Sequence, residues 1–289
     1  SYGVQWAPAK IGMELAWSVW QPISQAVIAV VDSGVDLSHP DLTDVFLRDI
    51  HGTIVGYNSQ NPALSPNDDY GHGTHCAGIA AASINNGIGI AGVAGWNPGI
   101  LNSTTWVKVM PVKVLNSTGS GTEFDVAQGM NWAVDHGAHV ISMSLGGPGY
   151  SSVMDAATGY AWTHNVVVCA AAGNNGKIMQ FYPAANANVI SVAATDSADH
   201  LAGFSNFGNW VQVAAPGVHI YSTLPTTPAG AGWPLNYGYL DGTSMATPHV
   251  AGEAAILKAA VPSLSAAQLS GLITSYTDAF GAGEARFIA

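Results

Sequence analysis

Short runs of apolar and β-branched residues alternate with longer stretches of helical periodicity from about residue 26 to residue 260. The apolar runs fall at 26–31, 107–114, 139–143, 166–170, 189–193 and 210–214, each the length of a strand. Helical patterns occupy 72–84, 123–136, 150–164, 247–260 and 265–275. The last opens Ser265-Ala266-Ala267-Gln268, the spacing of a capping box. Strands that are apolar throughout need cover on both faces. The pattern therefore predicts an α/β fold: a three-layer, doubly wound, mostly parallel sheet with helices on both faces. No repeat, low-complexity linker or shift in composition interrupts it, so residues 1–289 are expected to form a single domain.

In such sheets, ligands bind beyond the carboxyl ends of the strands. Asp32 follows the first apolar run, Asn174 follows the fourth, and His72 opens the first long helix. A site is expected where these three meet.

Composition narrows the function classes. Asp, Glu, Lys and Arg make up only 9% of residues, against about 25% in ordinary domains. Seven basic residues against 18 acidic ones give a net charge of −11. A nucleic-acid face needs clustered Lys and Arg, so that class is excluded. The carboxylates are also too sparse for a salt-loving surface. No apolar run nears the roughly 20 residues that span a bilayer, so no membrane partner is expected. No leader opens the sequence, and any signal or pro-segment is expected to lie outside it. Cys76 and Cys169 both sit in apolar company and read as buried free thiols rather than a bridge. Asn102-Ser-Thr and Asn116-Ser-Thr match the glycosylation pattern, a cheap match.

The segment from Gly242 to His249 carries the most chemistry. Ser244 stands between a glycine turn and an alanine-rich helical stretch, at a positive helix end. Alone it reads as a helix cap. A serine nucleophile needs a base, itself oriented by a third group. His72 lies between two glycines that permit close approach, and Asp32 stands at a buried strand end where a carboxylate needs partners. Each has a bland reading by itself, as a satisfied histidine or a turn cap. The order Asp32, His72, Ser244 weighs against those readings.

Three blocks carry a family resemblance: residues 27–42 around Asp32-Ser33-Gly34, residues 71–78 around His72-Gly73-Thr74-His75, and residues 241–252 around Gly242-Thr243-Ser244-Met245-Ala246. They resemble the signature blocks of the subtilases. Residues 141–147, 167–176 and 214–218 extend the likeness, which runs from about Tyr2 to Ser275. Cys76, four residues after His72, is similar to the thermitase and proteinase K branches, and the short stretch 174–182 to the alkaline subtilisins.

The resemblance implies a secreted serine endopeptidase acting through an acyl-enzyme. Ser244 is then the nucleophile, His72 the general base and acid, and Asp32 the group that orients it. Asn174 donates to the oxyanion, with the Ser244 N–H beside it. Substrate adds as an extended strand between Gly119-Ser120-Gly121 and Ser144-Leu145-Gly146. Phe181 falls at the floor of the first specificity pocket and implies a preference for small P1 residues; its alternative is to turn into the core. A structural Ca²⁺ is implied at Asp41 and Asn86, with the carbonyls of Ile84, Ile88 and Ile90. The N-terminal glutamine ligand of many relatives is missing here, and Gln212 replaces a carboxylate of the weaker second site. Asp68 and Asp69 read as solvated loop charges, with binding of a different ion as the alternative. The expected partners are protein or peptide substrates and a cleaved pro-segment acting as chaperone and inhibitor, with the enzyme itself a monomer.

Sparse charge points to tolerance of mild acid, because few carboxylates lose stability on protonation. Drift, or adaptation to cold or organic solutes, explains it equally well. Two rival functions are a narrower processing or exo-acting enzyme and a non-catalytic binding module on the same fold. The second predicts a broken triad, whereas Asp32, His72, Ser244 and Asn174 are all present.

Overall fold

The computed structural model describes residues 2–95 and 105–277; Asn102, a candidate glycosylation site, lies outside them. The chain opens with α1 (Ala7–Lys10) and α2 (Met13–Val19). The apolar pattern did not foretell them, because Gly12 at φ 70° breaks the period between two short pieces.

The strands are β1 (Ala26–Asp32), β2 (Tyr57–Asn58), β3 (Val107–Lys113), β4 (Val140–Met143), β5 (Gly147–Pro148) and β6 (Val167–Ala171). They continue with β7 (Phe181–Tyr182), β8 (Val189–Thr195), β9 (Val213–Pro216), β10 (Ile220–Thr223) and β11 (Tyr237–Leu240). Seven of them form one sheet in the order β2-β3-β1-β4-β6-β8-β9. Every pairing in it is parallel. The pairs β5–β7 and β10–β11 are antiparallel ribbons outside that sheet.

The helices after β2 are α3 (His72–Ala81), α4 (Glu123–Asp135), α5 (Ser152–Thr163), α6 (Thr243–Ala260) and α7 (Ala266–Ser275). Strand alternation sorts them into two layers. Ala26, Ile28 and Val30 of β1 share a core with α3, α6 and α7. Val27, Ala29 and Val31 face the core under α4 and α5. The expected three-layer, doubly wound arrangement is what forms. The capping box at Ser265 and Gln268 is also present, with both reciprocal hydrogen bonds made.

Three boundaries differ from the sequence reading by three residues or more. The helix predicted at 72–84 ends at Ala81. The strand predicted at 210–214 is shifted to Val213–Pro216, and Trp210 instead offers its carbonyl to the Ser191 hydroxyl (2.6 Å). Most important, α6 begins at Thr243 rather than 247, with Pro248 inside it. Proline commonly marks a first helical turn, and here it does not.

Candidate active site

Asp32 is the last residue of β1 and is fully buried. Its Oδ1 accepts from the Ser33 N–H (2.7 Å), and both oxygens lie within 2.9 Å of His72 Nδ1. That bond fixes the imidazole with Nδ1 as donor and Nε2 free for chemistry. His72 is the first residue of α3, and the next residue must be glycine. A Cβ on Gly73 would collide with the Gly34 carbonyl oxygen and meet Asp32 Cβ at 3.1 Å. Helix and strand end therefore touch backbone to backbone, which is how Asp32 reaches His72.

Asp68 secures that junction. It is buried, with its Oδ1 accepting from the Ser33 hydroxyl and from Tyr70 and Gly71 N–H, and its Oδ2 from Thr74 N–H and hydroxyl. Ser33 Oγ in turn accepts from Gly73 N–H (2.9 Å). Asp69 pairs with the buried Lys113 (2.5 Å). The reading as a solvated loop charge is thus corrected for Asp68, whereas Asp69 is exposed: the loop folds back over the end of β1 and uses one carboxylate as a multiple acceptor.

Ser244 is the second residue of α6. Its hydroxyl donates to the Ser144 carbonyl (3.0 Å), so its hydrogen bond runs there and not to His72. Catalytic hydrogen bonds in ligand-free enzymes are often loose and tighten around substrate. Cys76 places the two residues close together. Its thiol lies 3.9 Å from His72 Nδ1 and donates to the Ser244 carbonyl (3.5 Å). Both cysteines are buried and free, as expected.

Asn174 follows β6, next to β4 in the sheet. Its Oδ1 accepts from Thr243 N–H and hydroxyl, each at 2.9 Å. The amide is thereby locked with Nδ2 turned toward the start of α6, on the side of Gly242. Thr243, which anchors it, carries no signal in a single sequence.

Burial opposes a charge on His72, yet the Asp32 carboxylate, with a smaller contribution from Cys76, holds its pKa well above 6.5. Two further histidines around α6 behave oppositely: burial depresses His75 to about 3 and His249 to about 4.

A cleft of about 490 Å³ runs from His72 past Gly119, Ser120 and Gly121 on one wall and Ser144, Leu145 and Gly146 on the other. Six of the seven predicted substrate-contact residues thus line one space with His72. Phe181 is not in its lining. Its β7 pairs with β5, and its ring lies against the backbone of Gly146 on one side and Gly173 on the other. The alternative, a ring turned into the core, does not hold, for Phe181 is only half-buried.

Away from the cleft, Asp41 is fully buried and gathers part of the predicted metal set. Asn86 Nδ2 donates to its Oδ1 (2.6 Å) and Ile90 N–H to its Oδ2 (2.8 Å). Ile84 and Ile88 belong to the same loop. Burial pushes the Asp41 carboxyl up despite these donors, and no Lys or Arg pairs with it among the described residues.

A family model described as the subtilase family matches residues 24–287. Thermitase of Thermoactinomyces vulgaris is 45% identical over 254 residues, covering 88% of this chain and 81% of that protein. A thermophilic serine proteinase of Bacillus sp. (strain AK1) is 44% identical over 255 residues; the match covers 88% of this chain and only 57% of that relative's length. Among solved structures, proteases from Pseudoalteromonas arctica match with a TM-score of 0.84 at 30% identity, covering 97% of this chain and 92% of that one. Fold and likeness together define a subtilisin-like serine endopeptidase. The chain belongs to the subtilase family.

Proposed function

We propose that this chain hydrolyses peptide bonds in proteins through an acyl-enzyme on Ser244, with His72 as proton carrier and Asp32 as its orienting carboxylate. The observation that carries the reading is the Asp32–His72 bond at 2.8 Å set beside a serine at a helix start. His72 Nε2 takes the Ser244 proton as the hydroxyl attacks the carbonyl carbon. It then gives that proton to the leaving amine, and the sequence repeats with water.

The negative oxygen formed on attack needs donors. The Ser244 N–H stands in the first turn of α6, where helix N–H groups have no intrahelical acceptor. Asn174 Nδ2 is the second donor, aimed by Thr243. In subtilisin, losing the corresponding side-chain donor lowers turnover about 10²–10³-fold.

Phe181 supports a preference for small P1 residues, since its ring fills the space between the two glycine-backed walls. A structural Ca²⁺ would take oxygens from Asp41, Asn86 and the carbonyls of Ile84, Ile88 and Ile90, the hard ligands it prefers, with the Asn86 amide turned from the Nδ2 contact it makes with Asp41. Bound there, the ion would neutralise Asp41 and tie the loop to it; added Ca²⁺ should raise the unfolding temperature and a chelator lower it. Secretion fits the same reading, and among the described residues no helix is long and apolar enough to cross a membrane.

Labelling with a fluorophosphonate tests the nucleophile. Wild type should react and Ser244→Ala should not; labelling that survives the substitution overturns the assignment.

A further inference from the structure

Strands β10 and β11 are joined by residues 224–236, whereas an antiparallel pair usually turns in about two to five residues. The ends of this long loop are held together. Leu224 N–H donates to the Asn236 carbonyl (2.7 Å), and Asn236 N–H to the Pro225 carbonyl (3.0 Å). The closed neck, with Pro225, Pro228 and Pro234 along the chain, makes it a compact Ω-loop. Near its start, Thr226 N–H and hydroxyl both donate to the buried Asp36 carboxylate (2.8 and 2.6 Å). At its tip, Gly230 N–H donates to the Asp69 carbonyl (2.8 Å) and Ala231 N–H to the Tyr70 carbonyl (3.2 Å). A Cβ on Gly230 would collide with the Ser117 carbonyl oxygen. The loop is thus fastened to the segment that leads into His72 and packed against Ser117, close to Gly119.

Trp233 carries that fastening to the cleft. Its ring lies against Gly71, where a Cβ would meet Trp233 Cε3 at 3.2 Å. It also meets the Tyr70 ring, with centroids 5.5 Å apart and planes at 59°. Tyr70 in turn lies on Gly119, where a Cβ would come within 2.6 Å of the ring. Tyr70 lines the cleft together with His72 and Gly119, whereas Trp233 stands behind it. The space left among Tyr70, Gly71, Pro225 and Trp233 is about 10 Å³, room for one water at most. Tyr70 is therefore wedged, although it belongs to a loop.

We propose that the 224–236 loop is a strap and Trp233 a positioning residue that acts through Tyr70, holding its ring beside Gly119 as a ready-made wall for the bound peptide. This rests on the cleft being the peptide site described above. A mobile wall would have to be ordered each time a peptide binds, whereas a wedged ring is ordered already. His72 takes its orientation from Asp32, not from the strap. Loss of Trp233 should accordingly weaken peptide binding and leave the proton transfers alone.

Peptide cleavage and small-reagent labelling, measured side by side, test this. An amide substrate long enough to fill the cleft is used, because slow acylation makes KM track binding. In Trp233→Ala its KM should rise about three- to tenfold, the worth of an aromatic contact, with kcat changed less than about twofold. Trp233→Phe should recover most of the wild-type KM. Tyr70→Ala, which trims a half-buried side chain, should show the same rise, and the double variant should add little to either. Labelling of Ser244 by a fluorophosphonate, too small to need the wall, should keep its wild-type rate in Trp233→Ala. An unchanged KM, a loss carried by kcat, slowed labelling or additive effects of the two rings overturns the strap, while cleavage by wild type still upholds the protease. A wild type that neither cleaves the peptide nor takes the label overturns both.

Discussion

Ser144 and Ser244 hold each other by two reciprocal hydrogen bonds: the Ser144 hydroxyl donates to the Ser244 carbonyl at 2.7 Å, and the Ser244 hydroxyl donates to the Ser144 carbonyl at 3.0 Å. The first of these exists because of a residue four positions along α6. Pro248 has no N–H, so the Ser244 carbonyl lacks its helical donor. Ser144 and the Cys76 thiol supply donors in its place.

Ser144→Ala should accordingly lower stability by about 1 kcal/mol and reduce turnover by loosening the start of α6. The discriminating experiment is a double-mutant cycle with Pro248→Ala, which restores an N–H to that carbonyl. The penalty of Ser144→Ala should be smaller in the Pro248→Ala background. Strict additivity in unfolding measurements would refute the link.

Phe181→Gly should open the first pocket. Relative to alanine, cleavage after a P1 phenylalanine should rise at least about tenfold, as expected for burying an aromatic ring. Stability should fall by about 2–3 kcal/mol through the cavity left between Gly146 and Gly173. Unchanged P1 selectivity on a peptide series would refute the account of the ring.

The activity profile should be alkaline. His72 must be neutral to accept the Ser244 proton, and Asp32 holds its pKa above 6.5 against the effect of burial. The acid limb of kcat/KM, measured with an uncharged peptide, should therefore fall above pH 6.5. A limb well below that value would contradict the Asp32–His72 electrostatics.

Folding stability should narrow from both sides. His75 and His249 titrate near 3 and 4 in the fold but near 6.5 when unfolded. The unfolded chain binds protons first, so stability is lost as pH falls below 6.5, by about 1.4 kcal/mol per pH unit for each histidine down toward 4. This opposes the tolerance of mild acid that sparse charge alone implied. Glu253 acts at the other end. Burial pushes its carboxyl up to about 8, and its Oε2 has no hydrogen-bond partner. The fold holds its proton where the unfolded chain does not, so stability falls as pH rises from about 4.5 to 8. Glu253→Ala should flatten that slope and gain about 1–3 kcal/mol at pH 8–9. Thermal unfolding across pH reads both effects, and a flat profile from pH 4 to 9 would refute them.

Much of this was legible in the residues. Six of the seven sheet strands were readable because burial on both faces leaves them mostly apolar, while the two-residue β2 was not; the Ser244 block was readable because a glycine turn precedes its helix. What escaped depends on partners distant in sequence. The two-residue β5 and β7 show no period, and their pairing places Phe181. Asp68 looks like any loop carboxylate until the loop folds over Ser33. Glu253 sits in an alanine-rich run whose pattern gives no hint that its carboxyl is buried. The late start assigned to α6 lies beside a proline whose missing N–H is replaced by donors from Ser144 and Cys76.

Asp32 and Ser244, the groups proposed to react, lie far apart in the sequence. Asp32 leaves the ribosome with the first strand, whereas Ser244 arrives on α6, which must then dock across β1, β4, β6 and β8. Contacts of such long sequence separation form late and slowly. In a growing chain Asp32 and His72 can thus pair before α6 has been made, whereas Ser244 joins them only once α6 has docked.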